Sequence, residues 1–411
     1  MQGTYGISPE FSIKRRIDKK IVVNGKQERN AVLSIAESEV LSNFNEGKEV
    51  KFVLNNFEKN RGRAREIIQV LIERRILVKN SHRKVDLSPK WTLDEVFFEL
   101  TKRCNLNCHH CYIPKDIQSH EMRLDQWMKI INECKTLGVG LIKLTGGEPM
   151  CYPDFWKILE KICEIGIGTR LYTNGSYLNE ESISNLVGLK IDEIQISIDG
   201  ATKETHDTFR RTVGGFDKIL DALPILERYG VKTILSFTIT NYNVNEINQF
   251  IELAKKFTNV KVVISPYINY HQTYMGDRFI DVNDEVIQRL KLCFDENKKI
   301  WSDKVKYSLS FSNRFIGYCG FGLYSLYIDS TGKIMLCPLL NKMVIGKVDD
   351  GLINVWDNSM ELTEYRKHTL ADIEKCNSCI HINVCKGGCR ARAYLTNGTF
   401  LSHDPISCKM Y

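Results

Sequence analysis

From Val96 to Lys299 short apolar runs alternate with amphipathic segments, and this alternation restricts the fold more than any other feature of the sequence. Runs at Val96–Leu100, Leu141–Leu144, Thr169–Tyr172, Glu193–Ile198, Thr233–Ile239 and Val260–Ile264 are each followed by helical periodicity. The helical segments are Leu124–Thr136, Phe155–Ile165, Glu180–Val187, Phe216–Tyr229, Asn245–Phe257 and Asp284–Lys299. Strands covered on both faces read as continuous apolar runs, and strand–helix repetition joins parallel strands by right-handed crossovers. The expectation is an α/β fold, a partial (β/α)6 TIM-like barrel. Chemistry in such barrels gathers at the carboxyl ends of the strands, so the loops after these runs are where functional residues belong.

The first such loop reads Cys104-Asn105-Leu106-Asn107-Cys108-His109-His110-Cys111. Three thiolates at this spacing hold three corners of a cubane iron-sulfur cluster, and no fourth cysteine follows nearby. One iron is then open to a small chelating ligand. A structural zinc site is the alternative, but zinc sites usually pair C-x2-C units and close all four positions. After the second run comes Thr145-Gly146-Gly147-Glu148-Pro149, whose glycines let the backbone approach a neighbour closely.

The flanks differ from the barrel. Up to Lys90 there are 19 Lys and Arg against 11 Asp and Glu, whereas the whole chain carries only +7. A basic module suits an acidic partner, a nucleic acid or an acidic peptide. Its pattern is of short strands at Phe11–Arg16, Lys20–Val23 and Ala31–Ile35, with a hairpin tip at Asp18–Lys19. A helix capped by Ser38 runs to Phe44, and another spans Gly62–Ile76 with Arg61, Arg63 and Arg65 at its start. Together these make a winged-helix domain over residues 1–92, ahead of a barrel over 93–307. From 308 to 411 short strands and cysteines dominate. Fourteen cysteines in a chain without a secretory start read as metal ligands, and no stretch is apolar enough to span a bilayer, so a cytoplasmic location is expected. Cys134, Cys163 and Cys293 fall on helical apolar faces and read as buried small hydrophobes, whereas Cys151, just past Pro149, is a candidate hydrogen-atom donor or ligand as well as a packing residue.

The cysteine triplet, the Gly-Gly-Glu-Pro motif, Tyr172-Thr173-Asn174-Gly175 and Ile196-Ser197-Ile198-Asp199-Gly200 together resemble a radical S-adenosylmethionine (SAM) enzyme. The resemblance implies a [4Fe-4S] cluster on Cys104, Cys108 and Cys111 whose open iron chelates SAM. It places Gly146, Gly147 and Glu148 at the methionyl amino group, with Asn174 also in the SAM site. Ser197 would face the ribose or carboxylate, and Arg210 would face the SAM carboxylate, with Arg211 a competitor. His110 stands where an aromatic residue commonly precedes the third cysteine. The C-terminal pattern Cys319-x12-Gly332-x4-Cys337, Cys376-x2-Cys379-x5-Cys385-x3-Cys389 and Cys408 is similar to the SPASM domain. That similarity implies two auxiliary [4Fe-4S] clusters, three in all, on Cys319, Cys337 and Cys389 and on Cys376, Cys379, Cys385 and Cys408. Seven thiolates leave one position unfilled, and Gly320–Ile328 offers no eighth cysteine.

The first domain resembles the leader-recognition domain of peptide maturases of the thioether-forming sactisynthase and ranthipeptide type. The three resemblances together imply a radical SAM maturase that cleaves SAM to a 5′-deoxyadenosyl radical and installs a crosslink, a Cys thioether, in a ribosomally made precursor peptide. Its partners would be a peptide with an acidic leader and a flavodoxin- or ferredoxin-type reductant, with no nucleic acid and no membrane. The rivals are a sulfatase-maturing enzyme, disfavoured because Pro338 and not Asp follows Cys337, a small-molecule or cofactor-biosynthesis enzyme, and an iron-sulfur DNA-binding redox sensor.

Overall fold

The structure, a computed structural model, describes residues 3–15, 20–24, 31–87, 91–113, 120–268, 282–296, 319–340 and 343–411. The hairpin tip Asp18–Lys19, the end of the last expected barrel helix and the 307/308 boundary lie outside them.

In the first domain β1 (Thr4–Ile7) lies between β5 (Lys48–Glu49) and β6 (Leu77–Lys79), while β2 (Ser12–Arg15), β3 (Ile21–Asn24) and β4 (Ala31–Val32) form a second antiparallel sheet. The second sheet matches the three expected strands, with β4 shorter than expected. The first sheet is absent from the sequence expectation, because it pairs residues 4–7 with 48–49 and 77–79, distant segments with no hairpin turn to announce the pairing. Helices α1 (Ile35–Ser42), α2 (Val50–Asn55) and α3 (Arg61–Glu73) close over a core that includes Ile7, Phe11, Ile21, Phe44, Val53 and Ile68. Ser38 is not the cap of α1. Ser34 and Glu37 form a capping box there, bonding each other's backbone N–H, and the buried Ser38 hydroxyl accepts from Ile21 N at 2.8 Å.

The barrel strands β7 (Glu95–Glu99), β8 (Leu141–Thr145), β9 (Gly168–Thr173), β10 (Glu193–Ser197), β11 (Lys232–Ile239) and β12 (Val260–Pro266) stand in sequence order, every neighbour parallel. The crossovers are α4 (Leu124–Leu137), α5 (Phe155–Ile165), α6 (Glu180–Gly188), α7 (Lys203–Arg210) with α8 (Gly215–Arg228), and α9 (Ile247–Lys255); α10 (Asp284–Glu296) follows β12. Their apolar faces and the strands share one core, with Phe98, Trp127, Ile158, Leu186, Leu223 and Phe250 all buried in it. Cys134 and Cys293 lie in that core as expected, whereas Cys163 is only partly buried.

The C-terminal region does not stand apart from this sheet. β13 (Ser325–Ile328) pairs in parallel with β7, and β14 (Lys333–Met335) and β15 (Val344–Lys347) extend it antiparallel, giving nine strands in one sheet. β13 thereby covers the edge that β7 would otherwise expose. Arg366 fastens the join: its guanidinium lies 4.0 Å from the Trp356 ring and 5.2 Å from that of Trp91, and its Nε donates to Gly322 O at 2.9 Å. No described helix is long and apolar enough to cross a membrane.

Candidate active site

The three-cysteine loop leaves the carboxyl end of β7 and is held by the loops after its neighbours. Gly147 N donates to Thr101 O at 2.8 Å, and Glu148 N to Arg103 O at 2.9 Å. The glycines are needed because carbonyl groups of the loop pass where side chains would be. A Cβ on Gly147 would stand 2.4 Å from Arg103 O, and one on Gly146, whose φ is +154°, 2.5 Å from Thr101 O. The amides of Gly147 and Glu148 are thus both engaged by the loop itself. From the third strand, Asn174 Nδ2 donates to Asn105 Oδ1 at 2.9 Å and sits 3.8 Å from Cys104 Sγ. On the far side His109 N donates to Phe209 O at 3.2 Å, and Arg211 Nε donates to His109 Nε2 at 3.1 Å. The thiols of Cys104, Cys108 and Cys111 are close enough for the latter two to act on the first, and burial pushes Cys104 up to about 11. A bound cation would reverse that, since a coordinating thiol is deprotonated outright.

Glu148 is fully buried behind this loop. Its carboxylate accepts from Thr173 Oγ1 at 2.9 and 3.0 Å, from Asn174 N at 2.8 Å and from Met150 N at 3.3 Å. All four bonds come from uncharged groups, and Glu148 makes no ion pair among the described residues. Burial lifts its pKa to about 7 in spite of them. A cationic group placed beside this carboxylate would offset the cost of its burial.

Arg210 and Asp199 form the second buried group. Arg210 Nε and Nη2 both reach Asp199 Oδ2 at 2.7 Å, so part of the fork expected at a SAM carboxylate is already engaged. Asp199 Oδ1 accepts from Thr238 N at 2.8 Å, its N–H donates to His206 Nδ1 at 3.2 Å, and Asn243 Nδ2 donates to its carbonyl at 3.0 Å. Burial opposes the Asp199 charge most strongly, but Arg210, His110, the Thr238 N–H and His206 together outweigh it and hold the carboxyl below the usual range. In the sequence this aspartate stands out only as part of a motif; the four-residue step from His206 to Arg210, which puts both on one face of α7, was the available signal. His110 lies against Phe209, ring centroids 4.7 Å apart, and burial lowers its pKa to about 4, so it is a neutral aromatic ring at the position where the resemblance implies an aromatic residue. Ser197 ends β10, partly buried and in register with Ser236. Arg211, bonded to His109, braces the loop from outside. Cys151 lies in the turn after Glu148, its Sγ 3.4 Å from Tyr177 Oη.

A hydrogen-bonded chain leads away from the loop. Tyr112, next to Cys111, is hydrogen-bonded to Tyr327, and Tyr327 Oη donates to Glu99 Oε2 at 2.6 Å. Tyr112 also feels the charge of Cys337, so these residues lie between the first loop and the C-terminal cysteines. Nothing in the sequence pairs residue 112 with residue 327.

The C-terminal thiols fall into two sets. Cys337 feels Cys319 and Cys389, while Cys376 feels Cys408 and Cys379, and Cys385 feels Cys376 and Cys408. Burial pushes Cys319 and Cys385 each up to about 11. Asp404 organises the region: its carboxylate accepts from Cys389 N at 2.7 Å, from Arg392 Nε and Nη2 at 2.6 Å each, and from Ser407 Oγ at 2.6 Å. Among the described residues no three His, Cys, Asp or Glu side chains converge as ligands of a single metal ion. A cubane asks for something else, since each thiolate meets a different iron. A cavity of about 540 Å³ lined by Gly168, Asp192 and Lys232 opens at the amino ends of the strands, opposite to all of this chemistry.

Comparison with known families decides between the readings of the cysteines. The model of the radical SAM superfamily matches residues 98–254, and that of SPASM, an iron-sulfur cluster-binding domain, matches residues 319–380. The protein is a radical SAM enzyme with a SPASM domain. Relatives of this radical SAM enzyme include an AdoMet-dependent heme synthase of Methanosarcina barkeri, 28% identical over 344 residues that cover 75% of this chain and 95% of that protein. Mycofactocin maturase MftC of Mycobacterium tuberculosis is 29% identical over 319 residues, covering 75% and 81%. In fold, the enzyme matches Streptococcus suis SuiB, solved bound to precursor peptide SuiA, with a TM-score of 0.69 over 98% of this chain and 99% of that one, at 15% identity. The structure of anSMEcpe with bound AdoMet and Kp18Cys peptide gives 0.65 over 78% and 95%, at 21% identity.

Proposed function

We propose that this radical SAM enzyme is a peptide maturase that installs a crosslink, a cysteine thioether, in a ribosomally made precursor peptide. The observation that carries the reading is the extent of the likeness to SuiB, which takes in 98% of this chain and thus the basic first domain as well as the barrel. SuiB is solved with a precursor peptide, and MftC is named a maturase. The first domain, read as a winged helix, has what leader capture requires. β4 is an outer strand of its sheet among the described residues, and Val32 and Ile35 beside that edge are 52% and 46% exposed. A peptide adding a strand there satisfies the backbone groups of β4, and the excess of Lys and Arg attracts an acidic leader.

Cys104, Cys108 and Cys111 would hold the SAM cluster, Cys319, Cys337 and Cys389 one auxiliary cluster, and Cys376, Cys379, Cys385 and Cys408 the other. With a reductant of the flavodoxin or ferredoxin type, the loaded site supplies a 5′-deoxyadenosyl radical that takes hydrogen from an unactivated carbon. The residues of this chain bind and orient. Glu148 takes the methionyl ammonium, Asn174 and Gly147 fix the loop that carries the ligands, and Arg210, Asp199 and neutral His110 shape the wall beside it. Ser197 and the remaining donors of Arg210 face the ribose and carboxylate. The open position beside Cys319, Cys337 and Cys389 would receive the cysteine thiolate of the peptide.

The test is to incubate the reduced enzyme with SAM and the short peptide encoded beside its gene. Formation of 5′-deoxyadenosine together with a product lighter by two hydrogens per crosslink is expected. A product of unchanged mass would replace crosslinking by epimerisation, and 5′-deoxyadenosine without any altered peptide would remove the maturase reading.

A further inference from the structure

Arg390 follows Cys389 and opens the helix Arg390–Asn397, yet it is only 3% exposed. Two of its nitrogens are engaged by main-chain carbonyls: Nη1 donates to Phe400 O at 2.6 Å and to Ser402 O at 2.8 Å, and Nη2 donates to Gly387 O. Nε is buried with no hydrogen-bond partner. Among the described residues no carboxylate pairs with this cation. The nearby Asp404 is held by Arg392, Cys389 N and Ser407. A permanent charge so deeply buried is costly unless an opposite charge faces it. Its place joins the two C-terminal sets of thiols, because Arg390 follows Cys389 of one and the Gly387 carbonyl that it holds lies two residues past Cys385 of the other. The Arg390 charge bears on Cys376 and Cys408 of one and on Cys319 of the other, favouring the thiolate in each case.

We infer that Arg390 is the shared counter-cation of the two auxiliary clusters, a positioning residue that lies between them, offers its free Nε–H to a cluster sulfur, and raises the reduction potential of both at once. Cluster potentials follow net charge, hydrogen bonds to sulfur and exposure, and one buried guanidinium supplies the first two. Arginine suits the place, because its fork can hold three carbonyls and still present a donor in another direction. The inference rests on the reading that the seven C-terminal thiols hold two clusters.

The experiment uses the full-length chain with Cys104, Cys108 and Cys111 all changed to Ala, so that only auxiliary clusters are loaded, and reads their potentials by spectroscopically monitored redox titration. Iron content and spectra of this parent first count the clusters; a single cluster would remove the two-cluster reading whatever Arg390 does. With two present, Arg390→Met should shift both couples downward by about tenfold in the ratio of oxidised to reduced cluster, about 59 mV for a one-electron couple. Arg390→Lys, which keeps the charge, should recover most of that shift. Full iron loading in Arg390→Met with either couple unmoved would overturn the inference, as would Arg390→Lys titrating as low as Arg390→Met. Should Arg390→Met fail to hold iron, Arg390→Lys decides. Both potentials within threefold of the parent support the counter-cation, and loss of iron there too marks the residue as scaffold only.

Discussion

Glu148 is a wholly buried carboxylate bonded only by neutral donors, with the charge of Arg210 felt only weakly and no ion-pair partner among the described residues. Its pKa of about 7, against an ordinary 4.5, means that the folded chain binds the proton more tightly than the unfolded one. The stabilisation from this proton is complete below the unfolded pKa and is lost as pH rises through 7, a span worth about 3 kcal/mol at 1.36 kcal/mol per unit. Unfolding of the chain free of iron and SAM by urea should therefore show a loss of stability between pH 5 and pH 8 that Glu148→Gln flattens. The same residue predicts an effect on ligand binding. If its charge meets the methionyl ammonium, Glu148→Gln removes a charged hydrogen bond worth about 1.5–3 kcal/mol, and SAM should bind the iron-loaded enzyme roughly 10- to 150-fold more weakly in equilibrium titration.

At the scale of elements, the parallel strands and their helices were legible because each apolar run and each amphipathic face is long enough to show its period. The structure moves their ends by a few residues. What escaped was of three kinds. Strands β1, β5 and β6 pair segments far apart in the chain, α7 is a polar helix whose buried face is only His206, Phe209 and Arg210, and the pairing of β13 with β7 joins residues more than two hundred positions apart. In the site, the cysteines and glycines were legible because their spacing is chemical, whereas Asp199, Tyr112 and Tyr327 owe their places to contacts between distant elements. Two substitutions probe the joints. In Gly147→Ala the new methyl meets the carbonyls of Lys102 and Arg103, which are backbone and cannot rotate away. That variant should lose the iron of the first loop and keep the C-terminal iron, as read by iron content and by loss of SAM cleavage. Tyr327→Phe takes from buried Glu99 a hydrogen bond donated across the β7–β13 pair and should lower unfolding stability by about 1–3 kcal/mol.

At the scale of the molecule, the first domain has a hydrophobic core of its own, with no residue in common with the core of the barrel. The C-terminal region instead shares the barrel's sheet through β13 and its core through Leu326, Trp356 and Leu362. On the proposed function, chemistry and electron handling would belong to one continuous body, and substrate choice to a separately packed one that holds the chain's excess of positive charge. A chain beginning at Trp91 should retain the reductant-dependent cleavage of SAM, because Thr101, Gly147, Glu148, Asn174, Phe209 and Arg211, which hold the cysteine loop, are all kept. It should modify the precursor peptide with a KM raised by at least about tenfold, the loss expected when a leader worth a few kilocalories per mole can no longer dock. Salt separates this loss from a general defect. Attraction between a basic domain and an acidic leader weakens as the screening length shortens to about 8 Å at physiological ionic strength and about 3 Å at 1 M, so the KM of the intact enzyme should climb with salt toward that of the shortened one. A shortened chain whose KM equals that of the intact enzyme at low salt would show that the peptide is chosen at the barrel mouth, and that the basic domain serves another partner.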